Sequence, residues 1–157
     1  MSTLNNIPYD EIRIGQTASY SKTLTEADLI LFANVSGDIN PLHLDADFAA
    51  TTIFKQRIGH GAWTGSIISA AIALELPGPG TIYLSQNLSF RAPVNIGDMV
   101  TIKLEVTAKE DKRHTVNINT LAVNQDGKTV AKGSVEVIAP TEKLALAKPE
   151  LPAIDIG

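Results

Sequence analysis

The chain of 157 residues contains no cysteine. Disulfides, thiolate nucleophiles and every zinc site that needs sulfur are therefore excluded, and a reducing compartment is expected. Aromatic residues make up 5% of the chain, with a single Trp, at position 63. No apolar run approaches the roughly 20 residues that a bilayer-spanning helix needs, and residues 1–10 hold no basic run followed by an apolar one. The expectation is a soluble, unsecreted, cytoplasmic protein with no membrane partner. Positive charge is also short, at 13 Lys and Arg against 17 Asp and Glu for a formal net charge of -4. Nucleic acid is not an expected partner, since duplex binding needs a basic face.

The composition that remains, 44% hydrophobic and 19% charged, suits one folding unit with a sizeable core. Residues 1–140 read as that domain. Residues 141–157, with Pro149 and Pro152 and no second core, read as an extended tail. No internal repeat is present. Up to about Lys22 the chain is polar, with Ile12, Ile14, Ala18 and Tyr20 alternating as in a short strand. Thr25-Glu-Ala-Asp28 has the form of a capping box, and Leu29, Ile30, Phe32, Ala33 and Val35 form an apolar stripe that stops at Gly37. A helix is predicted there, and a second, short one after the N-cap residue Asp45. From Gly61 to Glu75 no charge appears before the last residue, which predicts a helix buried on nearly all sides. After Gly80 the period changes to two. Ile82–Phe90, Met99–Val106, His114–Val123 and Val130–Ile138 read as four strands of an antiparallel meander, with Asp126-Gly127 marking a hairpin turn. One buried helix followed by antiparallel strands predicts an α+β fold whose sheet wraps the helix.

Chemistry concentrates in Ser36-Gly-Asp38-Ile-Asn40-Pro41-Leu-His43-Leu-Asp45, which reads as a bent, locally rigid loop and not a regular helix. Gly37 admits positive φ, Pro41 pushes Asn40 out of the α region, and Asp38 and Asn40 favour self-bonded turns. That bend lets Asp38 and His43 converge on one small molecule such as a water, with Asn40 fixing their orientation, and a proton-transfer site needs such a pair. Turn formation alone would account for Asp38 and Asn40; His43 tips the balance toward chemistry. The same oxygens do not have the spacing of a calcium loop, and no metal site is expected. Gly61 opens the buried helix, where unpaired N–H groups and the positive dipole end hold a developing negative oxygen. Ser66 and Ser69 either bond back to the carbonyl one turn earlier or hold the catalytic carboxylate. His60 reads as a capping or core residue, and His114 as solvated.

Taken together, Asp38-x-Asn40-Pro41-x-His43, the later Ile58-Gly-His60-Gly61, and Tyr83–Phe90 followed by Pro93-Val-Asn-Ile-Gly97-Asp98 resemble the MaoC-like (R)-specific enoyl-CoA hydratases over roughly residues 14–140. The resemblance implies a hot-dog fold, a curved antiparallel sheet around a central helix, and a homodimer. It implies a lyase of fatty acid metabolism that reversibly adds water to a trans-2-enoyl thioester of coenzyme A, giving the (R)-3-hydroxyacyl thioester. No cofactor is needed beyond that substrate. By match, Asp38 and His43 activate the water and handle the proton for C2, Asn40 steadies the loop, and the Gly61 N–H polarises the thioester carbonyl. Trp63 replaces the aliphatic residue that many stand-alone members carry two places after the glycine; it either lines and shortens the acyl pocket or packs between helix and sheet as ordinary core, and the pocket is the expectation. Trp63, the hairpin at residues 123–128 and the ending at 138–143 resemble hydratase domains fused to phosphate acetyl- or butyryltransferases. Three other readings share much of this: a 3-hydroxyacyl-carrier-protein dehydratase, a hot-dog acyl-CoA thioesterase, and a non-catalytic acyl-CoA-binding subunit. A thioesterase would ordinarily set its carboxylate on or beside the central helix, and Gly65–Leu74 offers none. A non-catalytic subunit would be expected to lack part of the Asp38–His43 pair.

Overall fold

The computed structural model describes residues 2–157. In order, the chain forms β1 (Thr3–Asn5), a 3-10 turn at Tyr9–Glu11, β2 (Thr17–Thr23), α1 (Glu26–Ser36), α2 (Pro41–Leu44) and α3 (Ala46–Thr51). These are followed by α4 (Gly61–Leu74), β3 (Ile82–Phe90), β4 (Met99–Glu110), β5 (Thr115–Val123), β6 (Thr129–Ile138) and β7 (Ala145–Ala147). Five strands make one antiparallel sheet in the order β2-β4-β5-β6-β3. It curves around α4 in the hot-dog arrangement.

The sheet is not a simple meander. β4, β5 and β6 follow one another, but β3 pairs with β6 at the far edge instead of with β4. The link between β3 and β4 therefore crosses the end of the sheet, and its backbone is used on the way. Gly59 N–H donates to Val94 O at 2.7 Å, Gly97 N–H to Leu24 O at 2.7 Å, and Leu24 N–H to Asp98 O at 2.9 Å. These bonds clamp the approach to α4. A Cβ on Gly59 would stand 2.6 Å from Leu24 Cδ2, so any larger residue there would force that buried side chain to shift. Gly133 is similarly constrained, since its Cβ would run into the backbone carbonyl of Asn87 on the neighbouring strand β3.

α4 forms because small and aliphatic residues run unbroken to Leu74, and it packs Trp63, Ile67, Ile68, Ala71 and Ile72 against the inner face of the sheet. Facing them are Val100, Ile102, Leu104 and Val106 of β4 and Val116 and Ile118 of β5, all 1% exposed or less. Each fully buried isoleucine contributes about 1.5–3 kcal/mol of transfer free energy, an upper estimate. The helix is not buried on all sides, however. Ala62, Ser66, Ser69 and Ala73 lie on an exposed face, small enough in sum that their lack of charge hid it from the sequence pattern. β3 is exposed too, with one neighbour only and Ile82, Leu84 and Phe90 open to solvent.

The strand expected from the alternation of Ile12 to Tyr20 is β2, at Thr17–Thr23, where residues alternate between the two faces; it does not include Ile12, which is buried in the core ahead of it. Residues 145–147, within the segment expected as a tail, pair antiparallel with Thr3–Asn5. Asn6 fastens that junction, its Nδ2 donating to Glu142 O at 2.8 Å and its Oδ1 accepting from Leu144 N–H at 2.8 Å. Beyond Lys148 no regular element follows.

Candidate active site

α1 delivers the loop. Its N-terminus carries the expected capping box, with Thr25 Oγ1 accepting from Asp28 N–H and the Asp28 carboxylate accepting from Thr25 N–H. Its C-terminus ends at Gly37, whose φ of 79° is the left-handed cap that glycine adopts without strain. Ser36 Oγ donates to Phe32 O and accepts from Asp38 N–H at 3.1 Å, and Asp38 Oδ1 accepts from Asn40 N–H at 3.2 Å. The next four residues are a single helical turn and not irregular chain. Proline is suited to the first helical position, where its missing N–H is not needed, and Asn40 caps the turn by accepting from Leu42 N–H at 3.1 Å.

That turn carries His43 inward, to 7% exposure. Its Nδ1 lies 2.7 Å from Ile58 O. A carbonyl only accepts, so Nδ1 bears the hydrogen and Nε2 presents its lone pair. Nε2 faces Asp38 Oδ2 at 3.8 Å. This is too long for a direct hydrogen bond, and it suits a small molecule that touches both groups.

The sequence reading set His60 aside, and it is the functional candidate that reading missed. Its ring stacks on His43 with centroids 3.8 Å apart and 26° between planes, and its Nε2 lies 2.9 Å from the main-chain oxygen of Asp38. The signal available in the sequence was the placement of His60 directly before Gly61, at the mouth of the helix that carries the other half of the site. One ligand atom each from Asp38, His43 and His60 lies within 4.8 Å of the others. Holding a zinc ion at about 2.0–2.1 Å from each donor would require them to draw together.

Gly61 is the first residue of α4, and its N–H finds no acceptor among the described residues. A Cβ there would come within 3.0 Å of the Phe90 ring. Gly61 and His60 open onto a cavity of about 290 Å³ whose walls include Phe54, Thr64, Phe90 and Arg91. The remaining residues singled out from the sequence lie on different faces of α4. Ser66 bonds back to Trp63 O at 2.6 Å, and Ser69 is exposed on the same side. Trp63 points the other way, 3% exposed within the continuous core cluster, and it is not among the residues lining the cavity. Its direction follows from the helix: position 63 shares a face with Ile67.

The model of the MaoC like domain matches residues 11–127. This chain belongs to the MaoC-like family. An (R)-specific enoyl-CoA hydratase of Rhodospirillum rubrum is 44% identical over 132 residues, covering 84% of this chain and 91% of that one. The solved structure of the R-hydratase PhaJ1 from Pseudomonas aeruginosa in the unliganded form superposes with a TM-score of 0.95 at 54% identity, covering 99% of this chain and 100% of that one. The (R)-hydratase from A. caviae involved in PHA biosynthesis superposes with a TM-score of 0.79 at 42% identity, covering 82% of this chain and 98% of that one.

Proposed function

We propose that this MaoC-like chain catalyses the reversible (R)-specific hydration of trans-2-enoyl-CoA to (R)-3-hydroxyacyl-CoA. The observation that carries the reading is the pair of proton acceptors, Asp38 Oδ2 and His43 Nε2, held 3.8 Å apart beside a helix whose first N–H has no acceptor among the described residues. A water donating to both would keep an oxygen lone pair for C3. As the C3–O bond forms, the C2–C3 π electrons move toward the thioester oxygen, where the Gly61 N–H and the α4 dipole stabilise the negative charge. The pair accepts one proton from the water and a proton returns to C2, so the reaction balances with no resident cofactor and no metal. Asn40 holds the turn that carries His43, and Ser66 and Ser69 stand on the exposed face of α4.

A short acyl chain is the preferred substrate on this reading. The support is the cavity of about 290 Å³ next to Gly61, at the small end of ligand sites; with Trp63 in the core, the indole does not supply it. The active form is a homodimer, because β3 leaves an unpaired edge with exposed Ile82, Leu84 and Phe90, and such edges call for a cover. A cytoplasmic location accords with the absence of cysteine. Among the described residues no helix is long and apolar enough to cross a membrane.

The test is loss of absorbance at the conjugated thioester band with crotonyl-CoA, followed by chiral analysis of the product. Turnover to the (R) product is expected. No turnover on any enoyl-CoA, or turnover on carrier-protein thioesters alone, would overturn the assignment.

A further inference from the structure

We infer that His60 is a positioning residue whose Nε2–H locks the Asp38 loop to the N-terminus of α4. Of the hydrogen bonds that Asp38 makes among the described residues, those to Ser36 and Asn40 are local, each spanning two positions. The bond from His60 Nε2–H to Asp38 O spans 22 and joins the loop to the helix. The same ring is the shelf on which His43 lies, and it is itself backed by Phe32 at 5.0 Å.

Two features show that this side chain is placed for something other than its own helix. His60 occupies the N-cap position of α4, where Ser, Thr, Asp or Asn would bond the first free N–H groups. Its side chain makes no such bond and turns to the loop instead. The ring is 3% exposed and its Nδ1 is buried with no hydrogen-bond partner among the described residues, a cost that ordinary packing would avoid. The arrangement spends an N-cap and leaves a ring nitrogen unsatisfied, and in return it couples the acid–base pair to the Gly61 N–H. A misplacement of about 1 Å between such groups costs on the order of 10²-fold in rate, so the tie should act on kcat.

This inference rests on the hydratase reading, and two substitutions separate its parts. His60→Gln keeps an N–H at the reach of Nε2 but removes the ring; His60→Phe keeps a ring to support His43 but cannot donate. With crotonyl-CoA, His60→Phe should lower kcat about 10–100-fold with KM within about threefold, while His60→Gln stays within about fivefold of wild type. Amide hydrogen exchange at Asn40, Leu42 and His43 should quicken in His60→Phe and not in His60→Gln. Should His60→Phe fail to fold, His60→Leu, smaller and equally unable to donate, takes its place. Full kcat in the non-donating variant, or an equal fall in kcat for the Gln variant, would overturn the inference. Wild-type protein inactive on every enoyl thioester would sink the hydratase reading instead, and the exchange pattern alone would then decide whether His60 ties the loop.

Discussion

Replacing Trp63 by Ala separates a core residue from a wall of the acyl pocket. The indole is 3% exposed and belongs to the same continuous cluster as Ile67, Ile102 and Val135, so its removal leaves a cavity that the sheet on one side and α4 on the other cannot close. Aromatic-to-alanine changes of this kind cost about 3–5 kcal/mol. For a domain of this length each kcal/mol lowers Tm by roughly 2–4 °C, which puts the expected drop at roughly 6–20 °C. The assay is a thermal melt at fixed protein concentration, because the proposed dimer would make Tm concentration-dependent. It should be paired with kcat/KM for crotonyl-CoA and for a six- or eight-carbon enoyl-CoA. The structure predicts the large drop in Tm and an unchanged ratio of specificity constants. A Tm within about 2 °C of wild type, together with a shift of that ratio toward the longer substrate by tenfold or more, would refute the reasoning and return Trp63 to the acyl site.

Further outcomes follow from other parts of the molecule. The hydrogen bond from the Tyr9 hydroxyl to Asp111, helped by burial, holds the Tyr9 pKa up at about 12 from 10.0. A folded pKa above the unfolded one gives stability that is complete below about pH 10 and is lost as pH climbs toward 12. Urea midpoints at pH 9 and pH 11.5 should therefore fall less in Tyr9→Phe than in wild type, and an equal fall would contradict the link. Gly133→Ala drives a Cβ into the Asn87 carbonyl, so it should destabilise the protein by about 3 kcal/mol, at the top of the overpacking range; a neutral melt would show that β3 and β6 part easily. Light scattering at micromolar concentration should return twice the chain mass of 16.7 kDa, and a monomer would remove the β3 edge as an interface.

Local signals carried much of this architecture. The Thr25–Asp28 box and the Asp45 cap start α1 and α3 where their side-chain chemistry says they should, because an N-cap bond spans only two or three residues. The alternation in Ile82–Phe90 and Val130–Ile138 marked strands for a similarly local reason. Which strand lies beside which is a long-range matter. Nothing within β3 says that it will pair with β6 rather than β4, and the glycine that permits the close approach, Gly133, lies about 45 residues away. The Asp38 loop was legible because turn chemistry and proton-transfer chemistry use the same residue types. The turn from Pro41 to Leu44 was not, since proline reads as a helix breaker everywhere except at the first position it occupies here. His60 escaped because its partners, His43 and the Asp38 carbonyl, lie 17 and 22 positions upstream, and only the folded chain stacks one ring on the other. The open face of α4 escaped for the opposite reason: Ala62, Ser66, Ser69 and Ala73 are too small and uncharged to announce it.

The central claim is that Asp38 and His43 share the chemistry, and the most direct measurement is steady-state hydration of crotonyl-CoA by Asp38→Asn and His43→Gln, with circular dichroism to confirm the fold. Positioned acid–base groups contribute about 10²–10⁴-fold, so each variant should lose at least 10²-fold in kcat while its spectrum stays that of wild type. Near-normal turnover in either would take that residue out of the mechanism and leave the 3.8 Å pair without its proposed role.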